Sequence, residues 1–60
     1  MSAVYNPEAE MMAQIERLEM ESRQVTRRIE SAHNEEDQRV LRRQLSDLKD
    51  EIARLQARLP

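Results

Sequence analysis

His33, the one histidine, stands close in sequence to Glu36 and Asp37, and imidazole beside two carboxylates is a pattern that can ligate a metal or move a proton. Such chemistry needs a pocket and a second shell of side chains to orient each donor. A chain with no cysteine, no glycine and a single aromatic, Tyr5, offers little to build one. His33 therefore reads as a solvated turn residue. The carboxylates read the same way, as groups on exposed helix faces that pair with arginines three or four positions along, as Glu19 can with Arg23. No catalytic, cofactor-binding or metal-ligating residues are expected, and the chain is not read as an enzyme.

Arginine carries the sharper alternative. Arg23, Arg27, Arg28, Arg39, Arg42 and Arg43 gather in the middle of the chain and could contact phosphates. Glu30, Glu35, Glu36 and Asp37 lie among them, and no aromatic platform for bases accompanies them. Ion pairing on a solvated helix surface is the better reading, and nucleic acid is disfavoured as a partner. Over the whole chain ten basic residues meet twelve acidic ones, for a net charge of -2, with both signs interspersed.

These residues sit on two helical patterns. Asn6-Pro7-Glu8-Ala9-Glu10 is a helix start, with Asn6 to cap free amides, Pro7 suited to the first position and acids complementing the positive helix end. From there Met11, Ile15, Leu18, Ser22, Val25, Ile29 and Ala32 alternate steps of four and three, the heptad rhythm of a coiled-coil seam. Leu41, Leu45, Leu48, Ile52, Leu55 and Leu59 repeat it. The two registers do not join across the gap, so the chain must break between them. Asn34, followed by Glu35, Glu36 and Asp37, is a second helix start. With no glycine to leave the first helix, His33 or Asn34 is expected to take the left-handed conformation.

Folding the chain back about Glu35 pairs Ile29 with Leu41, Val25 with Leu45, Ser22 with Leu48, Leu18 with Ile52, Ile15 with Leu55 and Met11 with Leu59. Each pair joins an a to a d position, the layering of antiparallel helices. The expected fold is all-α, an antiparallel two-helix coiled-coil hairpin. It comprises an N-terminal extension and cap over residues 1–6, helix 7–32, turn 33–36 and helix 37–59. Edge charges do not decide the matter, because Glu19 and Lys49 attract at e while Glu21 and Glu51 repel at g. The competing architecture is one long helix in a parallel coiled coil. Ser22 is the single polar seam residue, either a register device or a small side chain tolerated in its layer.

One thin seam buries too little apolar surface to offset comfortably the entropy of ordering two helices. The hairpin is thus expected to be completed by a second copy or by a larger assembly. Its open end is the candidate contact. Val4, Tyr5 and Met12 meet there, with Ala53 and Ala57 joining Ala9 and Ala13 in an outer strip of small residues that lets another helix approach. No apolar run approaches the length of a membrane span, and Met1 to Asn6 lacks the basic start of a secretory signal, so the expected location is the cytoplasm or the interior of a virion. The expected function is a coiled-coil adaptor or stabilising subunit, with a small phage or virion component as an alternative.

Arg23-Gln24-Val25-Thr26-Arg27-Arg28-Ile29-Glu30, followed by Leu41-Arg42-Arg43-Gln44-Leu45-Ser46-Asp47-Leu48-Lys49-Asp50-Glu51-Ile52, resembles the YdcH-like family of short bacterial helical hairpins. Leu48-Lys49-Asp50-Glu51-Ile52 is the closest part, and the resemblance covers about half of the chain. Where that family's first motif opens on a His-x-x-Leu-like pattern, this chain has Glu21-Ser22-Arg23-Gln24-Val25. The resemblance implies a small cytoplasmic bacterial protein and carries over no functional residues.

Overall fold

The computed structural model describes residues 6–60 and contains two α-helices, α1 (Pro7–Ser31) and α2 (Glu35–Arg58), packed against each other along their length. The fold is a helical hairpin, and the single continuous helix of a parallel coiled coil is not formed.

Both helices start where an asparagine can cap them. At α1, Asn6 has extended backbone (φ -122, ψ 96), its Oδ1 accepts from the Ala9 amide at 3.1 Å, and Pro7 follows at the first helical position. At α2, Asn34 (φ -109, ψ 130) accepts from the amides of Glu36 at 2.7 Å and Asp37 at 3.3 Å. Glu8 and Glu10 in the first turn of α1, and Glu35, Glu36 and Asp37 in that of α2, lie against the positive helix ends, with Arg28 and Arg58 in the last turns.

The break is tighter than the expected 33–36 turn. Helix α1 stops at Ser31 and α2 begins at Glu35, so the connection is Ala32, His33 and Asn34. The reason is the cap itself: the Gln38 amide already donates to the Asn34 carbonyl at 3.0 Å, which draws Glu35 and Glu36 into the first helical turn. Helix α2 likewise ends one residue early, with Leu59 as its C-cap. The left-handed exit expected at His33 or Asn34 does not occur either, since no described residue has a positive φ. Instead the chain leaves α1 through extended Ala32 (φ -77, ψ 129), whose amide bonds back to the Ile29 carbonyl at 3.2 Å. Extended backbone at both ends of a three-residue link reverses the chain with no residue paying the left-handed cost.

One side chain ties the turn shut. Gln38 Nε2 donates to the Ala32 carbonyl at 2.9 Å, a group freed by the end of α1. Ala32 and Gln38 are both half-buried, and they extend the ladder of paired seam residues by one further layer toward the turn.

Candidate interaction surface

The seam is where the heptad rhythm places it. Ile15, Val25, Leu48 and Leu55 are buried, Val25 most completely at 1% exposure. Met11, Leu18, Ser22, Ile29, Leu41, Leu45, Ile52 and Leu59 are half-buried. Outside these twelve, only Glu19, Ala32 and Gln38 among the described residues escape full exposure. The Cα trace spans 11 Å in its narrowest direction, a single layer of helices. Two helices side by side can shield a seam residue from two directions only, which is why eight of the twelve still touch water.

Ser22 makes its hydrogen bond within α1. Its hydroxyl donates to the Glu19 carbonyl at 2.8 Å, and the Thr26 hydroxyl donates to the Ser22 carbonyl at 2.9 Å. No buried side-chain nitrogen or oxygen among the described residues lacks a partner. The hydroxyl of the one polar seam residue is therefore satisfied without a partner on α2.

At the open end the hairpin has two shallow grooves, one on each side of the seam. The first is lined by Met12, Ile15, Glu16 and Glu19 of α1 with Gln56 and Leu59 of α2, which are a, b and e positions. The second is lined by Pro7, Glu10, Met11, Gln14 and Arg17 with Arg58, which are c, d and g positions. Met12 is 54% exposed and lies beside Gln56 and Leu59. Ala9, Ala13, Ala53 and Ala57 are all exposed, but none of them lines either groove. Val4 and Tyr5, the rest of the expected contact, lie outside the described residues.

Two exposed apolar side chains were not expected as contacts, Met20 at 56% and Val40 at 62%. Met20 sits at an f position on the outer face of α1 and Val40 at a c position near the turn end of α2. Both fall off the seam rhythm, and that departure is the only signal the sequence carries for them.

The six arginines considered for phosphate are all exposed. Their heptad positions are b, f and g on α1 (Arg23, Arg27, Arg28) and b, e and f on α2 (Arg39, Arg42, Arg43), which spreads them around both helices. Arg23, Arg39 and Arg42 share the side of the hairpin that the b and e positions face, Arg28 lies on the other side, and Arg27 and Arg43 lie on the outer faces. The expected network of ion pairs also contracts. Among the described residues one pair lies within 4.0 Å, Arg43 Nε with Asp47 Oδ1 at 3.7 Å, and both side chains are solvated. Neither Glu19 with Arg23 nor Glu19 with Lys49 reaches that distance. Long side chains in water lose rotamer entropy when they pair, so geometry that permits a pair does not enforce it.

His33 is exposed in the link, and the described residues contain no group of three or more His, Cys, Asp or Glu placed to hold a metal ion. No helix is long and apolar enough to cross a membrane. Compared with family models, curated proteins and solved structures, the chain matches none.

Proposed function

We propose that this hairpin is a non-enzymatic coiled-coil interaction module, an adaptor or stabilising subunit that works by packing its helices against other protein chains, in the cytoplasm or within an assembled particle. One observation carries the reading. Only four side chains among the described residues are buried, while eight seam residues stay partly in contact with water and Met12, Met20 and Val40 are more than half exposed. Apolar side chains left at the edge of a one-layer rod gain free energy when another helical surface covers them. Shallow, solvent-lined grooves suit a partner's side chains better than the desolvated pocket that catalysis requires.

Affinity purification from the native host, with the mass of the intact complex measured, tests this reading. The expected result is a stoichiometric complex that is lost in the Met12→Glu, Ala57→Glu variant. If the purified chain is a fully helical monomer at micromolar concentration and brings down no other chain, the reading fails. If the complex survives the double substitution unchanged, the contact lies elsewhere on the rod.

A further inference from the structure

The two sides of the seam are unequal. Successive a positions turn toward the e edge of a helix and successive d positions toward its g edge, so an antiparallel pair has one a/e side and one d/g side. In the four inner layers three of the four d residues, Val25, Leu48 and Leu55, are buried and Leu18 is half-buried, whereas of the four a residues only Ile15 is buried and Ser22, Leu45 and Ile52 are half-buried. Exposed Met12 lies on the a/e side, in the groove it shares with Leu59, and exposed Val40 at its c position lies on the d/g side near the turn.

The charges are unequal as well. On the a/e side, the b and e positions of α1 hold Glu16, Glu19 and Glu30 against Arg23, an acidic edge. The matching positions of α2 hold Arg39, Arg42 and Lys49 against Glu35, a basic edge. The d/g side shows no such separation: α1 carries Glu10 and Glu21 against Arg17 and Arg28, and α2 carries Asp37, Asp47 and Glu51 against Arg54 and Arg58. Glu21 and Glu51 flank the seam on that side, and both are exposed. Covering two like charges there would be costly, which favours leaving the d/g side in water.

We infer that the partner is a second copy of this chain, packed through the a/e side about a two-fold axis along the rod to give a four-helix bundle with both turns at the same end. This rests on the interaction-module reading and adds to it the occupant, the face and the orientation. The rotation lays the basic edge of α2 over the acidic edge of the other copy's α1 and, by symmetry, the reverse. Lys49 then faces Glu19 of the other copy, and Arg42 and Arg39 face its Glu30. The half-buried Leu45 and Ile52 become interior. The other face-to-face two-fold, with α1 upon α1, sets acid against acid and base against base, so the charge pattern selects against it.

Sedimentation of charge-swapped variants tests the face. Glu19→Lys and Lys49→Glu should each raise the dimer dissociation constant about tenfold or more, because each creates two like-charge contacts across the axis. An equimolar mixture of the two should restore the dimer, and so should the double variant. Only a contact between chains can be rescued by mixing. Circular dichroism establishes whether each variant keeps its helices. Orientation is tested independently on the otherwise unaltered chain, which has no native cysteine. Spin labels on His33→Cys should lie about 20–30 Å apart between protomers, whereas turns at opposite ends of the rod would separate them by roughly 40 Å. A wild-type chain that stays a helical monomer up to millimolar concentration overturns the self-association, with the interaction reading left to the host complex. A wild-type dimer indifferent to both swaps, or labels at the longer distance, overturns the face or the orientation.

Discussion

Gln38 shows how one side chain can decide a turn. The heptad ladder, continued one step below Leu41, reaches Gln38 opposite Ala32, and the amide donates across the link to the carbonyl left open by the end of α1. A leucine there could pack but could not donate. Ser22 is the contrasting case, a polar seam residue whose hydroxyl is satisfied inside its own helix by the Glu19 carbonyl. Replacing it with leucine removes no bond between the helices and adds apolar contact against Leu48. Ser22→Leu should therefore stabilise the hairpin by roughly 1 kcal/mol and raise the melting temperature by about 4–8 °C. A fall in thermal denaturation experiments would mean that the hydroxyl serves something beyond α1.

At the level of the helix, the asparagine caps settle where each element begins. Asn34 takes two amides of α2 on its side-chain oxygen and a third on its carbonyl, so it terminates the link and starts the helix at once. Asn34→Ala should cost about 1 kcal/mol, read as a lower denaturation midpoint and faster amide exchange in the first turn of α2. Asn34→Gly should cost only a few tenths, because glycine leaves the amides open to water and alanine does not do so as well. Equal losses for the two would indicate that Asn34 acts through something other than capping. Helix α1 has the same device in Asn6, with one amide captured on the side chain.

For the whole molecule, the reversal at residues 32–34 brings Ile15 and Leu55 into one buried layer. Spin labels at these two positions of a single chain should lie within about 15 Å, because packed helices sit ~8–10 Å axis to axis. Separations of several tens of ångströms, with the helices intact, would refute the hairpin. The arginines belong to this scale too. With Glu30, Glu35, Glu36 and Asp37 among them they leave only a small local excess of positive charge, so retardation on nucleic acid is expected to be weak and to show little of the steep salt dependence of a many-phosphate contact. An electrophoretic shift series across salt concentrations checks it.

The seam could be read from residue types alone, since a heptad repeat demands that Met11 through Leu59 share one stripe on each helix and every one of the twelve is at least half-buried. The break between the stripes was equally legible, because the registers cannot join and Asn34 followed by three acids marks a start. Local rules of spacing and capping suffice for such features. Three things were decided only by packing the helices together: the short extended link without a left-handed residue, the Gln38 bond that closes it, and the inequality between the two sides of the seam. Each depends on where two distant stretches of chain meet in space. A periodicity along one helix says which stripe is apolar, but the water left on its flanks depends on the distance, rotation and shape of the neighbour against it.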